Sequence, residues 1–267
     1  MTIDEQFMSR CIQLAKLGKG NVAPNPMVGA VIVHEGKIIG EGYHQKYAEA
    51  HAEVNAVNSV EDKSLLPFST IYVSLEPCSH HGKTPPCADL LVAKQFKRVV
   101  IGTLDANSQV DGKGIKRLKE AGIAVSIGIL EAECQDLNKH FFTAHRKKRP
   151  YVLLKWAQSP NGYIDAGGNK SSNDSRKITW ISTPEFQSLS HQWRNEYQSI
   201  LIGRKTVESD NPSLTVRAVE GTNPIRIVLD SHLKIQGSYH IFNDEAKTYL
   251  FNLKQETNKK GISATRS

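Results

Sequence analysis

Residues 75–87 read LEPCSHHGKTPPC and join a strand to a helix in the first half of the chain. Before it, TIYVSL (70–75) reads as a strand. After it, CADLLVAKQ (87–95) reads as a helix, started by Pro85 and Pro86, residues suited to a helix N-terminus. The loop between strand and helix holds Cys78 and Cys87 with eight residues in between, among them His80 and His81. A zinc knuckle spaces its cysteines two to four apart, and a disulfide needs no such loop. The question is what site wants two cysteines at two element ends.

Outward from this stretch the elements alternate. On its N-terminal side stand a helix over about 4–18, the loop GKGNVAPNP, and the runs VGAVIV and KIIGEGYH, which flank HEG as a β-hairpin. The short helix HAEVNAVNSV follows. On its C-terminal side come the strand RVVIG, the helix GKGIKRLKEAG ending at a C′ glycine (Gly122), the strand IAVSIGI and one helix over EAECQDLNKHFFTAHR. Five strands between helices predict a three-layer α/β/α unit. After RKKRP the pattern restarts: strand YVLLKWA, a polar stretch, helix TPEFQSLSHQWRNEY, then strands SILIG and PIRIVLD. This is a second α/β domain without a complete GxGxxG. Its last strand is KTYLFN, followed by a polar tail with no helix and strand to close the sheet.

Four cysteines occur in the 267 residues. Cys11 shares a helical face with Phe7, Met8, Ile12 and Ala15, and Cys134 one with Leu130, Leu137 and Phe141, so both read as core thiols. Cys78 and Cys87 remain, and upstream His51 and Glu53 open a helix. Residues two apart on a helix point about 200° apart, so they serve one site only if it lies off the helix end. One histidine and two cysteines leave the fourth position of a zinc ion open, the catalytic pattern. Glu53 is then the carboxylate that moves protons. H-x-E followed by P-C and a second cysteine is the signature of zinc deaminases of nucleobases, usually with two residues between the cysteines. A fourth protein ligand would close the site, so His80 and His81 read as loop residues.

The net charge of +7 invites a nucleic-acid partner, but the basic residues are scattered. The one dense run, Arg146–Arg149, reads as a solvated linker, and a phosphorylated metabolite suits the mild positive field. The N-terminus lacks an apolar signal region and no apolar run is long enough to span a bilayer, so a cytoplasmic protein with no nucleic-acid or membrane partner is expected.

The long cysteine spacing with HHGKTPPC, the APNPMVGAVIV loop and strand, and GEGYH together resemble the bifunctional riboflavin-biosynthesis deaminase-reductases. The resemblance implies a cytidine-deaminase-like domain over 1–146, a linker over 147–150, and a dihydrofolate-reductase-like domain over 151–267. It implies two reactions: zinc-dependent deamination of a diaminopyrimidinone ribosylamine phosphate, then NADPH-dependent reduction of its ribosyl group to ribityl. By resemblance His51, Cys78 and Cys87 hold Zn2+ and Glu53 shuttles protons. Asn25 and His44 face the pyrimidine, while Lys83 and Thr84 help hold the substrate, Lys83 as a point charge on its phosphate. The second domain's matching stretches are KWAQSPNG, TWIS, QWRNEYQSILIGRKTVESDNPSLTVR and PIRIVLDS. They place Ala157, Trp180, Thr206, Asp210 and Ser231 along NADPH, and Arg194, Leu214 and Arg217 at the substrate. A homodimer is implied too. The chain departs from the family at SPNG, DNP (Asp210–Pro212), DANS (Asp105–Ser108) and Ile178 before Trp180. The family's glycine-rich EGG segment does not occur, so the reductase domain is expected to lack its C-terminal part. Two other readings compete: a single-activity nucleobase or tRNA deaminase with a C-terminal binding module, and a structural-zinc interaction protein.

Overall fold

The computed structural model describes residues 1–79, 85–106, 112–164, 180–236 and 238–254, and the backbone alone of 257–259 and 262–266. The chain divides into two compact units, Met1–Val152 and Leu153–Ser267.

In the first unit the strands are β1 (Gly29–His34), β2 (Lys37–Tyr43), β3 (Thr70–Leu75), β4 (Arg98–Thr103) and β5 (Ala124–Ile127). The helices are α1 (Ile3–Lys16), α2 (Ala52–Ser59), α3 (Cys87–Ala93), α4 (Lys113–Glu120), α5 (Glu131–Leu137) and α6 (Lys139–Lys147). The sheet runs β2-β1-β3-β4-β5. β1 is antiparallel to β2 and β3, whereas β3, β4 and β5 are parallel. The β1–β2 hairpin turns at Glu35 and Gly36, both at positive φ (48° and 75°), the pair a tight primed turn requires.

Alternation along the strands builds two cores. Ala30, Ile32, Ile71, Val73, Val99 and Ile101 pack against Ala52, Ala56 and Val57 of α2, Leu91 of α3, and Ile115 and Leu118 of α4. Val31, Val33, Tyr72 and Val100, one residue out of step, pack on the other face against Met8 and Cys11 of α1 and Cys134 of α5. The result is the α/β/α sandwich, with Cys11 and Cys134 as fully buried core thiols whose protons burial holds on.

The single helix expected over 131–146 is two. Asn138 stands between α5 and α6 with non-helical backbone (φ −112°, ψ 27°). Its buried side chain accepts from Met27 N–H and donates to Met27 C=O, both at 2.8 Å. A short amide that satisfies distant backbone competes with the helix around it. Arg146 and Lys147 belong to the last turn of α6, where cations suit the carbonyl end, rather than to a free linker.

The second unit holds α7 (Pro184–Glu196), β6 (Ser199–Gly203), α8 (Arg204–Asp210), β7 (Ile225–Leu229), β8 (Thr248–Asn252), β9 (Thr257–Lys259) and β10 (Ile262–Arg266). Its sheet runs β6-β7-β8-β10-β9, parallel except for β9. Two expectations fail here. YVLLKWA forms no strand; Leu154 and Trp156 are exposed, and apolar composition makes no strand where no ladder receives it. The polar tail does carry strands: β10 adds to β8 in parallel and β9 pairs back on β10, because the edge of a sheet supplies the ladder that polarity hides. The core is Val207, Leu214, Val228, Ile241 and Leu250. Beside it, buried Arg226 of β7 donates to the carbonyls of Ser213, His240, Asn243 and Ala246, stapling the α8–β7 and β7–β8 connections to one strand.

Candidate active site

Three element ends converge beside the first sheet. His51 is the N-cap of α2, with extended backbone (φ −73°, ψ 165°), so its ring points off the helix end. Glu53 enters the first turn of α2 and is 3% exposed. Cys78 follows β3 by way of Glu76 and Pro77, and Cys87 is the first residue of α3. His51 Nδ1 lies 3.5 Å from Cys78 Sγ and 3.3 Å from Cys87 Sγ, and the three ligand atoms fall within 4.8 Å of one another. The Cys87 N–H donates to Cys78 Sγ at 3.3 Å, and the Ala88 N–H to the Cys78 carbonyl. The α3 N-terminus thereby faces a thiolate.

Close approach holds α2 in place. A Cβ on Gly42 of β2 would strike the backbone of Ala52 and Ala56, and one on Gly114 of α4 would strike the Pro77 carbonyl. Glu76, 3% exposed, turns its carboxylate to the N–H groups of Gly112 (3.1 Å) and Asp105 (3.4 Å). The residue before Pro77-Cys78 is thus tied to the α4 N-terminus. The sequence reading assigned Glu76 no role, and its signal was an acid at the end of a buried apolar strand.

Electrostatics separate the groups. The Cys78 thiol is pushed well below its ordinary value, first by a hydrogen bond from the Cys87 thiol and then by His51 and the Cys87 N–H, against burial. The shared proton stays on Cys87, whose pKa rises. His51 is raised, chiefly by its bond to Cys78. Burial, helped by the charge on Cys78, raises Glu53 to about 7, where a carboxylate both takes and gives protons at neutral pH.

The donor set fits zinc. Two sulfurs and an imidazole nitrogen are its preferred ligands, and Zn–S and Zn–N bonds of about 2.3 and 2.0–2.1 Å in a tetrahedron set an S···N edge of about 3.6 Å. The observed edges of 3.3 and 3.5 Å match that cage. Among the described residues the cluster has three ligand side chains.

Asn25 and His44 flank the cluster as a linked pair. His44, 3% exposed, has Nδ1 3.0 Å from the Ala50 carbonyl and Nε2 3.1 Å from the Asn25 amide nitrogen. Its ring nitrogens are both engaged, its pKa is lowered by burial, and its ring meets His51 edge-on at 5.6 Å. Lys83 and Thr84, with His80 and His81, lie outside the described residues, as do Ile178 and Ser108.

In the second unit Arg194 of α7 donates to the Thr215 carbonyl (2.9 Å) and Arg217 to the Thr215 hydroxyl (3.1 Å), so the two guanidinium groups share one anchor. Leu214 buries its side chain in the core at φ +55°, which leaves only its backbone to meet a ligand. Thr206 and Asp210 are exposed one turn apart on α8, Ser231 is exposed just beyond β7, and Trp180 is exposed in an irregular stretch. Ala157 lies half-buried before the Ser159–Tyr163 turn. All five are at least partly accessible to solvent.

Residues 1–103 match the cytidine and deoxycytidylate deaminase zinc-binding region, and residues 150–266 match the RibD C-terminal domain. The riboflavin biosynthesis protein RibD of Aquifex aeolicus is 42% identical over 96% of this chain and 70% of its own length. The chain belongs to the RibD family. The Escherichia coli RibD is 38% identical, with 95% and 70% covered. The Thermotoga maritima diaminohydroxyphosphoribosylaminopyrimidine deaminase/5-amino-6-(5-phosphoribosylamino)uracil reductase superposes with a TM-score of 0.88 at 40% identity, covering 99% of this chain and 74% of that one. Acinetobacter baumannii RibD gives 0.86 at 34% identity, with the same coverage. The chain spans 70% of the length of the Aquifex aeolicus and Escherichia coli relatives and 59% of that of Actinobacillus pleuropneumoniae RibD. Its architecture is a deaminase domain followed by a RibD C-terminal, dihydrofolate-reductase-like domain, the two-domain α/β class read from the sequence. The second half thus matches the RibD C-terminal domain, as the bifunctional reading expects and the reading as a nucleobase or tRNA deaminase with a C-terminal binding module does not.

Proposed function

We propose that this chain is a bifunctional enzyme of riboflavin biosynthesis. Its first unit hydrolytically deaminates 2,5-diamino-6-(5-phosphoribosylamino)pyrimidin-4-one, and its second reduces the ribosyl group to ribityl with NADPH. The observation that carries the reading is the triad of His51, Cys78 and Cys87 with buried Glu53 at its side. His51, Cys78 and Cys87 would hold zinc, which when bound supplies an activated water near neutral pH. Glu53 accepts a proton from the attacking water and returns it to the amino nitrogen, which leaves as ammonia while the ring carbon gains a carbonyl oxygen. Asn25, set by His44, offers its amide to the pyrimidine, and Lys83 and Thr84 serve the far end of the substrate.

In the second unit NADPH supplies the hydride. Ala157, Trp180, Thr206, Asp210 and Ser231 would line the cofactor, and Arg194, Arg217 and the Leu214 backbone the phosphorylated substrate. Fork-shaped guanidinium groups suit a phosphate. No helix among the described residues is long and apolar enough to cross a membrane. A cytoplasmic location rests on the N-terminal sequence and the short apolar runs and a homodimer on the family resemblance, and sedimentation velocity tests the dimer.

The deciding experiment measures metal content and ammonia release from the diaminopyrimidinone substrate without NADPH. One zinc per chain with ammonia is expected. Bound zinc without ammonia would reject the substrate and leave a deaminase of another base.

A further inference from the structure

Between Arg194 and Arg217 of the second unit sits a histidine with a definite protonation pattern. The Arg217 backbone N–H donates to His191 Nδ1 at 3.1 Å. A nitrogen that accepts carries no proton, so the ring is neutral and its hydrogen is on Nε2. That Nε2 lies 3.5 Å from Arg194 Nη1. Both atoms are then donors, so they do not bond to one another. Two donors at this separation can both reach one shared acceptor oxygen.

The neighbourhood repels positive charge. Burial first, then Arg217, lowers the pKa of Arg194, and burial followed by Arg194 and Arg217 lowers that of His191. The loop carrying Arg217 is fastened twice to one face of α7. His191 takes the Arg217 N–H, and Asn195, four residues on, takes the Thr222 N–H at 2.9 Å. Asn195 holds backbone alone; His191 holds backbone with one nitrogen and presents a hydrogen beside a guanidinium with the other.

Resting on the substrate-site reading of Arg194 and Arg217, we propose that His191 is a third member of that site. Its Nδ1 positions Arg217, and its Nε2–H donates to a phosphate oxygen that Arg194 also binds. A neutral donor adds a directional bond without a third positive charge, which would cost more to bury.

The test uses the full chain, titrated with inorganic phosphate in a phosphate-free buffer and followed by ring nitrogen and backbone amide resonances. The expected result is a non-protonated Nδ1, a protonated Nε2, and an Nε2 signal that moves on titration more than Nδ1 does. His191→Asn keeps an acceptor near the Nδ1 position and removes the Nε2 donor. It should leave the Arg217 amide resonance near its native place yet weaken phosphate about tenfold or more, as expected for a hydrogen bond to a charged group. His191→Gln keeps the outer donor, so it should shift the Arg217 amide and also weaken phosphate. Native phosphate affinity in His191→Asn, or an Nε2 signal indifferent to phosphate, would overturn the proposal. Failure of the unsubstituted protein to bind phosphate would overturn it together with the anion reading of the arginines. Phosphate binding as expected in a chain that reduces no substrate would leave the site standing and reject the reductase reading.

Discussion

Glu53 concentrates the chemistry of the first unit in one carboxyl group. It is buried beside two sulfurs and an imidazole, and its pKa is raised to about 7. Glu53→Gln keeps the shape and removes the proton traffic. We expect the same zinc per chain by elemental analysis, unchanged or higher thermal stability since a buried carboxylate is gone, and deamination lowered at least a hundredfold. Turnover at the native rate would remove Glu53 from the mechanism. Glu76 makes the opposite case, a buried carboxylate that only holds. Glu76→Ala strands the N–H groups of Gly112 and Asp105, which should cost about 1–3 kcal/mol in urea unfolding and loosen metal binding through the Cys78 loop. Stability equal to the parent's would show that solvent replaces the carboxylate. At this scale the cluster of His51, Cys78 and Cys87 was legible because ligand chemistry admits few residue types, and helix geometry demanded that His51 act from the helix end. The link between His191 and Arg217 was not legible, since it depends on where a loop returns.

Elements explain why the site holds its shape. α2 presents His51 and Glu53 only because it lies on β2 with no room for a side chain at Gly42. Gly42→Ala should push α2 off the strand, destabilise the unit by about 1–3 kcal/mol as overpacking does, and lower zinc affinity in the same protein. A destabilised variant with unchanged affinity would mean that α2 moves as a rigid block with its ligands. The strands of the first sheet were readable because their apolar runs are short, regular and separated by turn residues such as Glu35-Gly36. The break at Asn138 was not, because the apolar spacing of 130–141 continues through it while the side chain answers to Met27, far away in sequence. The same distinction accounts for YVLLKWA and the tail. Composition reports what a segment could bury, whereas strand formation also needs a neighbour with free backbone groups, and β10 finds one in β8.

Across the whole molecule, stability responds to acid and to metal through different parts. Asp4 of α1 accepts from Arg98 Nη1 and Nη2 of β4 and from the Tyr72 hydroxyl of β3, and its carboxyl lies below the ordinary value, chiefly through Arg98. Glu41 is lowered by Arg10 in the same way. A carboxyl depressed in the folded state binds its proton more readily when unfolded. Its contribution is therefore complete above the ordinary value of about 4 and disappears as pH falls through the folded value. Asp4→Asn should lower the stability of the first unit at pH 7 and flatten its decline below about pH 4, read by acid titration of the circular dichroism; an unchanged acid midpoint would assign that decline to other groups. Metal acts on the same unit from its other end, because every candidate ligand lies within Met1–Val152. A ligand at a hundred times its dissociation constant stabilises what binds it by about 2.7 kcal/mol, which for a unit of this size is about 5–10 °C. Chelation in calorimetry should therefore lower one transition by that much and leave the transition of Leu153–Ser267 where it was. Should both transitions fall together, the two units unfold as one, and the zinc site would be setting the stability of the reductase domain as well as its own.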